Sequence, residues 1–228
     1  MGAGDVRDLE RRFRTVVTTV SLGARSVDIV HPASAEELIS AEEFAADERL
    51  PYWADLWPAA FVLARRVAAM PGRGRRLLEL GCGAGLVSVA AAAAGFAVTA
   101  TDYYADALRF ARVNAARNAG VQIAARLADW RDWPADLTRF DVVLASDVLY
   151  ERPYAAAVAG VFARALAESG VGLVADPGRV AASAFAAECE SRGLRVARAD
   201  RVDYADGDVR QTIDLYEITH APATRTTA

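Results

Sequence analysis

The spacing of hydrophobic positions changes period several times along the 228-residue chain. Thr15–Ser21 and Arg25–His31 alternate apolar and polar residues around Leu22-Gly23-Ala24, which predicts a β-hairpin. Ser34-x-x-Glu37 and Ser40-x-x-Glu43 are capping-box patterns and predict short helices ahead of a break at Pro51. Trp57-Pro58 then opens a helix running to about Met70, with Pro58 in the first turn where its missing N–H costs nothing. From residue 75 a regular alternation begins. Short apolar runs at 75–80, 97–101, 122–127, 141–146 and 171–175 read as strands, and 85–94, 104–118, 153–168 and 179–192 read as helices. Gly95, Gly120, Gly170 and Gly193 fall at expected helix C-caps.

Strand–helix alternation of this kind predicts an α/β fold, a doubly wound, mostly parallel sheet with right-handed crossovers. The ending departs from the rhythm. Leu194–Tyr204 and Val209–Thr219 are long strand-like runs joined only by Ala205-Asp206-Gly207-Asp208, so they form an antiparallel hairpin and bring the sheet to seven strands. The expected organisation is an N-terminal hairpin with short helices over 1–50 covering one side of the site, a main α/β domain over 51–219 and a flexible tail over 220–228.

Composition narrows the function classes. A formal net charge of −4 gives no clustered basic face for nucleic acid. The longest apolar stretch, Leu86 to Ala100, is interrupted by Gly95 and is too short to span a membrane. The first residues, with Asp5, Arg7, Asp8 and Glu10, lack the apolar run of a signal peptide, and Cys82 and Cys189 are the only cysteines, so a reducing, cytoplasmic setting without a structural zinc is expected. There is no lysine: all 26 basic residues are arginine. That excludes a Walker A loop, Schiff-base chemistry and the Tyr-x-x-x-Lys pair of short-chain dehydrogenases. His31 and His220 are isolated and make neither a triad nor a metal cluster.

The chemistry concentrates after the predicted strands. Leu77-Leu78-Glu79-Leu80-Gly81-Cys82-Gly83-Ala84-Gly85 runs an apolar strand into three alternate glycines, and a second strand ends on Asp102. Such a loop lets backbone N–H groups approach an anionic group at a helix N-terminus, while the carboxylate accepts from ribose hydroxyls. Asp129-Trp130 follows the third parallel strand, placing a carboxylate for an adenine amino group and an indole beside the ring. Ser146-Asp147 follows the fourth and Asp176-Pro177-Gly178-Arg179 the fifth.

In order and spacing these elements resemble the class I S-adenosylmethionine-dependent methyltransferases, over about residues 50 to 219. Pro51-Tyr52-Trp53-Ala54-Asp55-Leu56-Trp57-Pro58, Asp147-Val148-Leu149-Tyr150 and Asp176-Pro177-Gly178-Arg179 narrow the resemblance to the seven-strand protein-lysine methyltransferases and their bacterial nicotinamide-N-methylase-like relatives. The resemblance implies S-adenosylmethionine as cofactor, held by Trp57, Glu79, Gly81, Gly83, Gly85, Asp102, Asp129, Trp130 and Ser146. It further implies that Asp147 and Tyr150, matching the group's acidic-x-x-aromatic motif, position the acceptor amine.

The acceptor remains open between a protein lysine and a small amine or N-heterocycle. Glu79 is alternatively a buried, hydrogen-bonded carboxylate. Trp130 and Trp53 are alternatively core, and Arg179 is a turn residue or a rim cation for an acidic partner. A nicotinamide-dependent oxidoreductase fits less well, because the glycine spacing is Gly-x-Gly-x-Gly and the chain ends in a hairpin. A binder without catalysis is the last alternative. No nucleic-acid or membrane partner is expected, and a monomer is compatible with all of this.

Overall fold

A computed structural model describes residues 3–38 and 50–222. After α1 (Ala3–Arg12) come the hairpin β1 (Thr15–Ser21) and β2 (Ser26–Pro32), two short 3-10 turns at Glu36–Leu38 and Tyr52–Ala54, and α2 (Pro58–Ala68). The alternating part comprises β3 (Arg76–Leu80), α3 (Leu86–Ala93), β4 (Ala97–Asp102), α4 (Ala105–Ala119), β5 (Ala124–Leu127), β6 (Phe140–Ser146), α5 (Tyr154–Ala165), β7 (Leu166–Asp176) and α6 (Ala182–Glu190). It closes with β8 (Leu194–Asp206) and β9 (Val209–His220).

The seven-stranded sheet has the order β5-β4-β3-β6-β7-β9-β8. The five strands β5 to β7 are parallel, and the terminal hairpin adds two antiparallel strands, as its short connection predicted. Chain order reverses between β3 and β6, which are neighbours, so their carboxyl ends flank the crevice where open α/β sheets take ligands.

Alternation along the central strands divides the core. Leu77, Val142 and Leu144 face the layer that holds α2, α3 and α4, where Leu63, Val87 and Phe110 are buried. Leu78, Leu80, Val143 and Ala145 face α5 and α6, where Val158, Phe162 and Phe185 are buried. Both faces are covered, which is why these strands read as continuous apolar runs rather than half-polar ones.

The N-terminal hairpin docks on α4 through two asparagines. Asn114, fully buried, accepts from the Val30 N–H at 2.9 Å and donates to the carbonyls of Val30 and Ala84 at 2.8 Å each. Asn118 likewise accepts from the Asp28 N–H and donates to the Asp28 carbonyl. The side-chain amides act as an extra strand for the edge of β2. Because Asn114 also holds Ala84, hairpin and glycine loop share one anchor.

Several boundaries differ from the sequence expectation. The helix expected over 153–168 ends at Ala165, and β7 begins at Leu166, five residues before the strand expected at 171. Leu166 pairs with Phe140 on β6 and is buried, so tertiary pairing overrides the helical pattern. Gly170 is therefore no C-cap: a Cβ there would lie 2.9 Å from the Phe140 carbonyl, so it serves close strand packing. The Ser34 hydroxyl does accept from the Glu36 N–H, but Glu37 turns outward to Arg14 instead of closing the capping box. The second capping box, Ser40-x-x-Glu43, lies outside the described residues, as do residues 223–228 of the expected tail. Helix α1 was not anticipated. It buries Leu9, and Phe13 just beyond it meets Trp53 and Phe110 edge-on at 6.2 and 5.4 Å. Among the described residues, no helix is long and apolar enough to cross a membrane.

Candidate active site

One cavity of about 400 Å³ opens at the carboxyl ends of β3, β4 and β6. The loop after β3 forms its floor. Gly81 and Gly83 both have left-handed backbone, with φ of 64° and 51°. A Cβ on Gly83 would stand 2.9 Å from the Trp53 carbonyl, and one on Gly81 would stand 3.1 Å from the Trp130 ring. The narrow cradle between loop and aromatic wall thus depends on hydrogen at both positions. Gly85, expected in the cofactor set, does not line the cavity. Its missing Cβ faces away, 2.6 Å from the Ala111 Cα of α4, so this glycine allows α3 and α4 to pack closely.

Asp102 ends β4 with its carboxylate turned back to the loop. Oδ2 accepts from the Gly83 N–H and Oδ1 from the Tyr104 N–H, both at 2.9 Å. Burial raises its pKa from 3.8 to about 6, against those backbone N–H groups, which favour the charged form. Glu79 lies deeper, 1 % exposed, and takes a short hydrogen bond from the Ser88 hydroxyl of α3. Burial first, and the Asp102 charge as a smaller contribution, push its pKa from 4.5 up to about 8, so at neutral pH it is a protonated acid. Cys82, also buried between these carboxylates, has its thiol pushed well above its ordinary range.

The wall opposite the loop is aromatic. Trp57 packs edge-on to Tyr52 at 5.9 Å, Tyr52 to Tyr150 at 5.5 Å, Tyr150 to Tyr154 at 5.2 Å and Tyr154 to Trp130 at 5.2 Å. The Trp57 indole N–H donates to the Tyr52 carbonyl at 2.9 Å, fixing the Leu-Trp-Pro segment onto the cavity rim. Burial and its neighbour Tyr154 raise the Tyr150 pKa, so the phenol stays neutral. Asp129 lines the cavity with its carboxylate held by Arg131, Oδ2 to Nη2 at 2.6 Å, so an adenine amino group would share that carboxylate with a guanidinium.

Ser146 and Asp147 line the cavity at the end of β6. Asp147 has left-handed backbone, φ 56°, and its N–H donates to the Ala175 carbonyl of β7 at 2.9 Å. Its carboxylate is buried against Arg179 in a two-pronged contact, Nε to Oδ1 at 2.6 Å and Nη2 to Oδ2 at 3.0 Å. Arg179 is thus neither a bare turn residue nor a free rim cation.

Trp57, Glu79, Gly81, Gly83, Asp102, Asp129, Trp130, Ser146, Asp147 and Tyr150 therefore meet at one cavity, and Trp53 joins them. Sequence reasoning overlooked Tyr52, Tyr104 and Tyr154 in the lining. Tyr154 opens α5 four residues after Tyr150, and the loop between them folds so that the two rings meet. Among the described residues, the lining carries five carboxylates (Asp55, Asp102, Asp129, Asp147 and Glu151), the protonated acid Glu79, and no arginine or histidine. Such a cavity suits a cationic ligand with an aromatic ring and disfavours a pyrophosphate. S-adenosylmethionine, with its sulfonium, ammonium and adenine, fits this donor and acceptor set; the two phosphates of a nicotinamide dinucleotide do not.

Residues 77–170 match the methyltransferase-domain family model Methyltransf_25. The chain is 32 % identical over 133 residues to the zebrafish (Danio rerio) protein N-lysine methyltransferase METTL21A, covering 53 % of this chain and 60 % of that protein. It is 30 % identical over 116 residues to the mouse (Mus musculus) protein-lysine methyltransferase METTL21E, covering 45 % of this chain and 47 % of that protein. The chain thus spans about half the length of these curated relatives. The TehB-like S-adenosylmethionine-dependent methyltransferase of Corynebacterium glutamicum superimposes with a TM-score of 0.56 at 17 % identity, over 78 % of this chain and 93 % of that one. Residues 77–170 are thus similar to a methyltransferase domain, the aligned stretches are similar to protein-lysine methyltransferases, and the chain shares the fold of an S-adenosylmethionine-dependent methyltransferase.

Proposed function

We propose that the chain transfers a methyl group to an amine nitrogen, and that the acceptor is the side chain of a protein lysine. The observation that carries this reading is the all-acidic, aromatic-walled lining, in which Asp147 and Tyr150 stand on the acceptor side. When bound, S-adenosylmethionine supplies a methyl group already activated on a sulfonium, so the protein mainly has to align and desolvate the nucleophile.

A free lysine ammonium, with pKa near ~10.4, must lose a proton before it can attack. Enclosure by Tyr52, Trp57 and Tyr150 opposes the charged form while the nearby carboxylates favour it, so the proton passes to water as the acceptor nitrogen docks. Asp147 then orients the amine. Both of its oxygens contact Arg179, yet each retains a lone pair for an N–H of the acceptor. Tyr150, neutral and packed between Tyr52 and Tyr154, walls the approach rather than moving a proton. The relatives named as protein-lysine methyltransferases support the choice of acceptor. A cytoplasmic setting accords with the two unpaired, buried cysteines.

The test is transfer from methyl-labelled S-adenosylmethionine into a lysate, comparing wild type with Asp147→Asn and counting label in protein and in small molecules separately. The expected result is Asp147-dependent label in protein. Label confined to small molecules would overturn the lysine assignment in favour of a small amine or N-heterocycle.

A further inference from the structure

Behind the acceptor wall lies a side chain that lines no part of the cavity yet holds two residues that do. Arg179, in the turn after β7, grips both oxygens of Asp147 at 2.6 and 3.0 Å, and its guanidinium carbon lies 5.5 Å from the centre of the Trp57 ring. Asp147 and Trp57 are lining residues; Arg179 is not. The turn beneath Arg179 is itself pinned. Oδ1 of Asp176, a residue 1 % exposed, accepts from the Gly178 N–H at 2.7 Å and the Arg179 N–H at 2.8 Å.

Asp147 needs such a restraint. Its φ of 56° is uncommon for a residue with a side chain, and its carboxylate lies near that of Asp176, which repels it. The guanidinium offsets the Asp147 charge by direct contact and the Asp176 charge through space. A planar fork on two carboxylate oxygens also fixes the carboxylate plane, which a single ammonium cannot do. The same plane carries cation–π attraction to Trp57.

We propose that Arg179 is a positioning residue for methyl transfer: from behind the cavity wall it locks the Asp147 carboxylate and the Trp57 indole into one relative arrangement, so that the acceptor nitrogen is presented in a single orientation. This rests on the reading that Asp147 faces the acceptor amine. It gives the Asp-Pro-Gly-Arg turn a role at the active site, although the turn itself touches no ligand. Asp176 supplies the loop geometry, Arg179 the grip, and Asp147 the contact with substrate.

Arg179→Met and Arg179→Lys would be compared with wild type in three measurements: melting temperature, affinity for S-adenosylhomocysteine by calorimetry, and label transferred to lysate protein as a function of lysate concentration. The last separates maximal rate from half-saturation. Arg179→Met is expected to bind S-adenosylhomocysteine within about threefold of wild type and to lose at least tenfold in maximal rate, assayed well below its melting temperature. Arg179→Lys should restore less than half of the lost rate, because it keeps the charge and loses the fork. A rate within twofold of wild type for Arg179→Met, or a loss of rate matched by an equal loss of S-adenosylhomocysteine affinity, would overturn the proposal and leave a purely structural ion pair. Absence of label from the wild type would instead overturn the amine-transfer reading on which it stands.

Discussion

The Asp102 carboxylate accepts a 2.9 Å hydrogen bond from the backbone N–H of Gly83, tying the end of β4 to the glycine loop after β3 across nineteen residues of sequence. The acid that would receive the cofactor ribose thus also shapes the loop beneath it. Two consequences can be measured. Asp102→Asn should weaken S-adenosylhomocysteine binding by about tenfold or more, since hydrogen bonds to a charged group are worth ~1.5–3 kcal/mol. In the wild type the ionised form binds, and burial sets its pKa at about 6. Affinity should therefore fall as pH drops through 6 and level off above it, which calorimetric titrations between pH 5 and 8 would show. A pH-independent affinity over that range would count against Asp102 as the ribose acceptor.

Glu79 links pH to the stability of the fold rather than to binding. In the unfolded chain it ionises at its ordinary value of 4.5, whereas in the fold burial holds the proton until about 8. Below 4.5 both states are protonated and the group is neutral in the balance. Between 4.5 and 8 only the folded state keeps the proton, so stability declines as pH rises, by up to ~1.4 kcal/mol per pH unit from this residue. Above 8 the loss is complete. Glu79→Gln can still accept from the Ser88 hydroxyl but has nothing to ionise. Its melting temperature should match wild type near pH 5 and exceed it by pH 8 to 9. A variant less stable than wild type at pH 9 would contradict this account.

The residues that build the site were legible because each sits at the end of a strand whose apolar run is hard to misread. Asp102, Asp129 and Asp147 follow β4, β5 and β6, and the parallel order brings those ends to one edge. What the sequence could not display is direction within a loop. Gly81, Gly83 and Gly85 look equivalent in the chain, yet a half-turn of backbone separates a cavity floor from a helix contact. Arg179 was visible as a candidate cation, but its partner Asp147 lies thirty-two residues away on a neighbouring strand. Among the described side chains of helix α1, Leu9 is the one buried in the core, and Phe13 follows it to meet the Trp53 and Phe110 rings, contacts between distant segments that the local sequence does not display.

Asn114 is the test of how the hairpin is attached. Replacing it with alanine leaves the Val30 N–H, the Val30 carbonyl and the Ala84 carbonyl without their partner in a buried layer. With ~1–3 kcal/mol for each of the three orphaned groups, a loss of roughly 3–9 kcal/mol is expected. Hydrogen exchange should show the amides of β2 exposed first, with those of β3 and β6 retaining protection. Uniform loss across the sheet would mean that the hairpin and the main sheet unfold as one unit.

Gly85 and Gly83 separate structure from binding within a single loop. An alanine at Gly85 would put its Cβ 2.6 Å from the Ala111 backbone at a φ of 88°, so α3 and α4 must move apart. Left-handed strain of ~1–2 kcal/mol and overpacking of ~1–3 kcal/mol together predict a destabilisation of about 2–5 kcal/mol. The molecules that remain folded should bind S-adenosylhomocysteine with an affinity close to wild type. Gly83→Ala places its Cβ in the cradle itself, 2.9 Å from the Trp53 carbonyl and beside the Asp102 hydrogen bond. There the affinity loss should exceed tenfold and outweigh the change in stability. Denaturant melts alongside calorimetry on both variants would decide it: equal affinity losses at the two positions would return Gly85 to the ligand-binding set.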